Sequence, residues 1–353
     1  MKILGIESSC DETAAAVVEN GRKLISNVVH SQIDIHSAFG GVVPEVAARS
    51  HLEVILPVID KAILEAGGWD EIDAIACVTM PGLAGSLLIG SLVGRTLAAL
   101  KNKPFYPIHH VEAHVYANFI NQESPPEFPM LSLIVSGGHS QIVLFRDHGD
   151  YELIGQTQDD AVGEAFDKVA KILGLPYPGG PLISKAAESG DPYKYHFPKA
   201  KMSRKYDFSF SGLKTAVLRA IQTECGKDHT FPSTRLAKLL TTRQRNDFAA
   251  SFQHIAIETL VDKIVAAFDE FKPRSVTIAG GVAANQELRR QLIERLPIKI
   301  NFPEMRFCTD NAAMVASLGY FVSRKISPAD PHNTEVIPSI SMTKTIWGQA
   351  TKT

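Results

Sequence analysis

Two histidines four residues apart, in His110-Val111-Glu112-Ala113-His114, carry the most specific chemistry in the chain. On a helix, residues i and i+4 share a face, so both imidazoles can point at one ion. Glu112 follows His110 by two residues, roughly 200° round a helix of 3.6 residues per turn, and so faces away from that ion. In the zinc-protease pattern His-Glu-x-x-His, the carboxylate directly follows the first histidine and reaches a metal-bound water. The chain thus offers metal ligands without that base. The competing reading is one buried, hydrogen-bonded histidine and one surface histidine. A metal needs a third ligand, and Asp310 in Cys308-Thr309-Asp310-Asn311-Ala312-Ala313-Met314 is the best placed. It follows a short strand-like run and opens a small-residue helix, where an aspartate can equally be an N-cap. Two histidines and one carboxylate suit Fe(II) or Zn(II) and leave positions open for substrate oxygens.

Three glycine turns follow strand-like runs: Pro81 to Gly85, Ser136 to Gly138 and Gly280 to Asn285. Glycine lets backbone N–H groups approach an anion, and a following helix adds its positive end. Steric demand alone also produces such junctions. Together with the hydroxyl- and carboxylate-rich turn Glu7 to Thr13, they point to a phosphate-bearing ligand held between two lobes. None matches the P-loop or Gly-x-Gly-x-x-Gly pattern, which disfavours P-loop and Rossmann sites. Lys+Arg number 36 against Asp+Glu 38, so the molecule as a whole is not a basic nucleic-acid binder. Locally the balance differs: Lys194 to Arg245 holds twelve Lys/Arg and three Asp/Glu, with Tyr193, Tyr195, Tyr206, Phe208 and Phe210 nearby. That stretch is either a solvated basic face or a contact for a phosphate backbone.

The elements that must position these residues alternate between strand and helix, which makes the class α/β. Ile3 to Ile6 and Ala14 to Val18 read as a hairpin. Leu52 to Ala66 has helical periodicity, Ile72 to Val78 and Pro104 to Ile108 read as strands, and Leu83 to Leu100 as a buried helix. That last run carries Arg95 and three glycines, which argues against a membrane span. The proline-rich stretch Glu123 to Pro129 marks a boundary, giving an N-terminal lobe over 1–121 and a C-terminal lobe over 122–321, with the tail 322–353 packing back on the first. The opening theme then repeats, since Leu131 to Val135 and Gln141 to Phe145 flank another polar turn. Ala161 to Leu173 and Phe248 to Phe268 read as helices, Ser275 to Ala279 as a strand, Gln286 to Leu296 as a helix and Tyr177 to Pro181 as a shaped loop. The four cysteines, Cys10, Cys77, Cys225 and Cys308, form no Cys-x-x-Cys pair and fit a reducing compartment. The chain enters its first strand at once, with no room for a targeting segment, so a cytoplasmic location is expected.

Nine ordered segments resemble one family, the tRNA threonylcarbamoyladenosine transferases known as TsaD, once described as glycoproteases. They are Gly5 to Thr13, Gly40 to Glu45, His110 to His114, Val135 to His139, Gly163 to Lys168, Tyr177 to Pro181, Phe208 to Lys214, Gly280 to Asn285 and Cys308 to Asn311. The resemblance implies a two-lobed actin/Hsp70/sugar-kinase-like (ASKHA) fold with duplicated ribonuclease H-like lobes. It implies transfer of the threonylcarbamoyl group from threonylcarbamoyl-adenylate to N6 of adenosine 37 in tRNAs reading codons that begin with A. The matched positions give metal ligands His110, His114 and Asp310, and substrate contacts Val135, Ser136, Gly137, Gly138, His139, Asp167, Gly180 and Asn285. Asp11 and Glu12 would lie near the reacting group, Asp11 as proton acceptor. Implied companions are tRNA, an inactive paralogue subunit (TsaB), an ATPase subunit (TsaE), a separate synthase supplying the adenylate, and a bound adenine nucleotide; no membrane is implied. The chain departs from the family at Met80, where Gly-Pro-Gly is usual, and at Ser184, where many members carry Asp. Gln222 to Arg245 reads as an inserted loop, and the abrupt start looks bacterial.

Three other functions remain open on the residues alone. A metalloprotease is disfavoured by Glu112. A small-molecule kinase of the same fold would phosphorylate a sugar or acid, and a non-enzymatic scaffold would tolerate loss of the metal ligands.

Overall fold

The apolar run that opens the chain forms β1 (Lys2–Glu7), paired antiparallel with β2 (Glu12–Glu19) from Lys2↔Glu19 to Glu7↔Ala14. The structure, a computed structural model, describes residues 1–343 and Trp347. β3 (Lys23–Ser31) extends the hairpin, and α1 (Ile33–Ser37) and α2 (Pro44–Glu65) follow. β4 (Ala74–Met80), α3 (Ala84–Lys101), β5 (Phe105–His109) and α4 (His110–Tyr116) complete this half. The sheet order is β3-β2-β1-β4-β5, with β4 parallel to β1 and β5 parallel to β4. β4 is buried at every residue, as a parallel strand covered on both faces must be. Its side chains alternate between two clusters. Ile75 and Cys77 face α2, whereas Ala74, Ala76 and Val78 face the opposite layer.

The second half begins with β6 (Met130–Val135), β7 (Ser140–Asp147) and β8 (Asp150–Gln156). Helices α5 (Val162–Ile172), α6 (Gly179–Ala187), α7 (Ser211–Glu224), α8 (Ser233–Leu236) and α9 (Thr242–Phe271) come next. β9 (Ser275–Ala279), α10 (Gln286–Arg295), β10 (Ile300–Asn301) and α11 (Ala312–Ser323) end the regular structure. The order is β10-β9-β6-β7-β8, with β6–β7 and β7–β8 antiparallel and β6–β9 and β9–β10 parallel. With β6 to β10 in the places of β1 to β5, order and direction are those of the first sheet. The repeated strand–turn–strand theme is therefore one five-stranded topology used twice, the arrangement of a two-lobed ASKHA fold. α4 and α11 lie between the sheets, in a cluster holding Ile3 and Val18 of one and Met130, Ile134 and Val143 of the other.

Several elements differ from the sequence reading. α2 starts at Pro44, where proline suits the first helical turn. Gly179, Gly180 and Pro181 are the first turn of α6 and not a loop, and follow a cis Tyr177–Pro178 bond. Residues 222–245 comprise the end of α7, α8 and the start of α9, so they are not one loop. The run before Asp310 is a 3₁₀ turn, Met305–Phe307, and not a strand. α3 is not fully buried, since Leu88 is 52% and Leu92 55% exposed. The return to the first sheet begins with α11, whose Ala312 and Ala316 pack against Gly5 of β1. It continues where Ala329 N donates to Phe105 O and Ile337 N to Thr79 O. Residues 344–346 and 348–353 of the expected tail lie outside the described residues. No helix among the described residues is long and apolar enough to cross a membrane.

Gly5 permits the contact between β1 and α11. A Cβ there would overlap the Ala312 carbonyl oxygen and sit 2.7 Å from Ala316 N. Gly5→Ala is expected to destabilise the protein by about 2–3 kcal/mol in urea unfolding, as overpacking against backbone does. Gly212→Ala, with nothing within 4 Å of the added carbon, is expected to be neutral or stabilising.

Candidate functional site

The glycine turns and both histidines lie at the carboxyl ends of parallel strands, where open α/β sheets place ligands. β5 runs directly into α4, so His110 begins the helix and His114 sits one turn on. Their ring centroids are 4.7 Å apart with planes at 75°. Asp310 faces both: its Oδ1 is 3.3 Å from His114 Nε2 and 3.7 Å from His110 Nε2. One ligand atom from each residue lies within 4.8 Å of the other two. Asp310 is not the N-cap of α11. Asn311 takes that part, accepting from Met314 N at 3.1 Å, which leaves the Asp310 carboxylate to the site.

Two observations fit this triad to a metal. Among the described residues His114 Nδ1 is buried without a hydrogen-bond partner, and its Nε2 has only the Asp310 carboxylate opposite it at 3.3 Å, a costly state for an imidazole with nothing further to bind. His110 Nδ1 lies 2.9 Å from Glu7 Oε2 and 3.1 Å from Ser9 Oγ. A carboxylate on one ring nitrogen fixes the ring and turns the other toward an ion. Two imidazoles and one carboxylate are donors that Fe(II) and Zn(II) accept.

The electrostatics suit a cation. Burial alone would lower the pKa of His110, but Glu7 and Asp310 outweigh it and push it up to about 9. Burial works against the Asp310 carboxylate, yet His110, His114 and His139 hold it well below the usual range. Burial, then Asp310 and Asp11, push Glu12 up to about 9, so it keeps a proton at neutral pH. Burial, then His110 and His114, push His139 down to about 4 and leave its ring neutral.

The hairpin turn Glu7 to Thr13 therefore brings Glu12 within electrostatic reach of Asp310, with Asp11 beside Glu12, and the β6–β7 turn brings His139 within reach of both histidines. Within that second turn, Ser136 N donates to His139 O at 2.8 Å and His139 N to Ser136 Oγ at 3.2 Å. This leaves the N–H groups of the exposed Gly137 and Gly138 available to an anion. Val135 is fully buried, backbone included, so it stands behind the turn and not on its exposed face.

The other expected contacts form a second group around α6. Asp167 Oδ1 accepts from Gly179 N at 2.7 Å, which holds the first turn of that helix. Burial raises the pKa of Asp167 despite bonds from Gly179 and Gly180. Asn285 caps α10 through Leu288 N, and its Nδ2 donates to Ser184 Oγ and Gln253 Oε1, each at 2.9 Å. Beyond Gln253 opens a cavity of about 350 Å³ bordered by Tyr193, His254, Glu287 and Arg290. Tyr177 joins the two groups. Burial, then the Asp11 and Asp167 carboxylates, raise the pKa of its phenol.

Glu7 and Tyr177 are site residues that the sequence reading passed over. Each stands inside a singled-out segment, and that was the available signal. Met80 and Pro81 to Gly85 support the site without entering it: Met80 is buried in the core, and Leu83 N donates to Ser9 O at 2.8 Å. Glu112 does face away. Its Oε1 accepts from Trp347 Nε1 at 2.7 Å and its Oε2 from Tyr151 Oη at 3.0 Å, so it is no base for a metal-bound water.

Residues 23–317 match the sequence profile of the TsaD family, tRNA N6-adenosine threonylcarbamoyltransferase. A protein of that description from Thermomicrobium roseum is 49% identical over 343 residues, covering 94% of each chain. One from Symbiobacterium thermophilum is 50% identical over 326 residues, covering 91% of this chain and 92% of its own. Among solved structures, full-length HypF in its phosphate- and nucleotide-bound form aligns with a TM-score of 0.56 at 14% identity. The alignment covers 91% of this chain and 46% of HypF, and it shows a shared fold.

Metal binding provides a direct test of the triad. Metal content by mass spectrometry should vanish in His110→Ala/His114→Ala, and unchanged content would rule the site out. Glu7→Gln keeps the ligands and should weaken Zn(II) binding about 10- to 100-fold. Because His110 holds a proton up to about 9, binding must displace it. Zn(II) affinity, read by chelator competition, should therefore rise about tenfold per pH unit from 7 toward 9. A flat profile over that range would contradict His110 as a ligand.

Proposed function

Because the chain belongs to the tRNA N6-adenosine threonylcarbamoyltransferase family, and so forms threonylcarbamoyladenosine on tRNA, we propose how its site performs that transfer. The donor is threonylcarbamoyl-adenylate, and the acceptor is N6 of adenosine 37 in tRNAs reading codons that begin with A. The observation that carries this reading is the meeting of His110, His114 and Asp310 with the Asp11–Glu12 turn and the open glycine turn Ser136 to His139.

The donor is a mixed anhydride and already activated, so transfer itself needs no ATP. The acceptor amine attacks the carbamoyl carbon, the bond to the phosphate oxygen breaks, AMP leaves, and N6 gives up a proton. Gly137 and Gly138 N–H groups hold the phosphate as it gains charge. Asp11 accepts the N6 proton, while Glu12, kept protonated, hydrogen-bonds to Asp11. Asp167 and Gly180 border the adenosine moiety of the donor, with Asn285 at its end beside the cavity. Fe(II) or Zn(II) on the triad would supply a Lewis acid and a template for the threonyl oxygens.

The division into lobes over 1–121 and 122–321 belongs to the same reading, as does a cytoplasmic setting, which the unpaired cysteines suit. So do the partners. A paralogue of the same fold would cover the exposed leucines Leu52, Leu56 and Leu64 of α2 and Leu88 and Leu92 of α3. The ATPase subunit and the synthase are carried over from the family alone. For tRNA the basic stretch is the surface, although part of it is neutralised internally. Lys199 pairs with Glu258 at 2.8 Å and Asp262 at 2.5 Å, and Lys205 pairs with Glu270. Lys201 and Arg204 are exposed and enter no ion pair among the described residues.

Reconstitution with adenylate and tRNA, read by nucleoside mass spectrometry, tests the reaction. A Cβ at Gly137 or Gly180 meets nothing within 4 Å, so bulk there should leave the fold intact. Gly137→Val is expected to abolish product formation with an unchanged melting temperature. Wild-type adenylate affinity by calorimetry would contradict the glycine turn as its cradle. In the assembled complex, Lys201→Glu with Arg204→Glu should weaken tRNA binding and lower the salt slope by about two, one per phosphate contact, with adenylate affinity unchanged. An unaltered slope would make the stretch a solvated face.

A further inference from the structure

His51 lies on α2, is fully buried, and belongs to neither the metal triad nor the glycine turn. Its Nε2 is 3.0 Å from the carbonyl oxygen of Cys10, and its Nδ1 is 2.7 Å from Thr13 Oγ1. A carbonyl oxygen only accepts, so Nε2 carries the proton. In the neutral ring Nδ1 is then an acceptor, and the Thr13 hydroxyl donates to it. Burial keeps the ring's pKa below its ordinary value, which agrees with that tautomer.

The two bonded residues bracket Asp11 and Glu12. The β1–β2 ladder closes at Glu7↔Ala14, while β2 stays paired with β3 through Glu12↔Ser31 and Thr13↔His30, so the ladders fix the Thr13 end of the turn and leave the Cys10 end outside them. Other groups also hold the turn from outside. Ser86 Oγ also donates to Cys10 O, at 3.3 Å, Gln32 N donates to Asp11 O at 3.1 Å, and Ser31 Oγ to Glu12 Oε1 at 3.1 Å. Of these groups, only His51 grips both ends of the stretch Cys10 to Thr13.

We propose that His51 is a positioning residue for the transfer: its two hydrogen bonds hold the turn so that the Asp11 and Glu12 carboxylates face the metal centre. This inference rests on the reading of Asp11 as proton acceptor. The bonds are directional and come from a buried ring on a 22-residue helix, so the turn inherits the rigidity of α2.

Three variants separate the contributions. His51→Phe keeps a ring and removes both bonds. His51→Gln offers a terminal N–H that can still reach the Cys10 carbonyl. Thr13→Val removes one bond and leaves His51 in place. Under saturating adenylate and tRNA, His51→Phe is expected to lower kcat about 10- to 100-fold. KM for the adenylate and metal content should stay within about twofold, and His51→Gln should recover most of kcat. A double-mutant cycle with Asp11→Asn completes the test. If His51 acts through Asp11, the double variant is no slower than Asp11→Asn alone. If Asp11→Asn slows the reaction and the two losses multiply, the inference is overturned while the reading of Asp11 stands. An Asp11→Asn enzyme of full activity overturns that reading, and the inference with it. Should His51→Phe fail to fold, Thr13→Val makes the same comparison with a smaller expected loss.

Discussion

A seven-residue helix with no exposed residue sets the terms for the rest of the molecule. Every residue of α4 is buried, including His110, Glu112 and His114, because the helix lies between two sheets. Unpartnered polar groups in such a place cost several kcal/mol each, so each must be met by something. The partners come from far along the chain. Glu7 and Ser9 meet His110 from the first hairpin, Asp310 faces His114 from the segment before the last helix, and Tyr151 and Trp347 meet Glu112 from the second sheet and the tail. One short helix thereby ties both sheets and the C-terminal segment together. The same demand concentrates ligand chemistry at a single point.

The concentration has an electrostatic consequence. Protons on His110 and Glu12 lessen, without cancelling, the negative charge of a site that also holds Glu7, Asp11 and Asp310. A divalent cation can take over that compensation, and the three candidate ligands already face one another. Glu112 shows the contrast on the same helix. It is equally buried, its pKa pushed up to about 7 by burial, but it is bonded to an indole and a phenol and faces no histidine of the triad. Helical phase alone separates a carboxylate that anchors the tail from histidines that face an ion.

That phase was legible in the sequence because it depends only on local geometry. So were the hairpins and the glycine turns, since their residues are contiguous. The topological duplication showed only as a repeated theme, because strand order depends on pairings that no local pattern records. Tyr177 to Pro181 was misread for a physical reason: Gly and Pro break helix interiors, but both are accepted in a first turn, and here they begin α6. Glu7 and Tyr177 were marked only by the segments they stand in, and His51 by nothing. Each matters through partners far away in sequence, as with His51 and Cys10, which are 41 positions apart. Asp310 was readable as a candidate, but its freedom from capping depended on Asn311 taking that part.

The cleft also sorts its glycines by what surrounds them. A Cβ at Gly163 would lie 2.6 Å from Ser136 O, and one at Gly280 would lie 2.8 Å from the carbonyl carbon of Val135. Both would press on backbone, so these two glycines let α5 and the turn after β9 close against the end of β6. At Gly137 and Gly180 the same carbon meets nothing. No packing demand explains a glycine at either place. At Gly137 the missing side chain leaves the backbone N–H open, whereas the Gly180 N–H is bonded to the Asp167 carboxylate. The first pair makes a rigid floor, and the second keeps that floor bare. An N–H held open on so rigid a floor would need no reorganisation to meet an anion, which is the condition for stabilising charge that develops only during reaction.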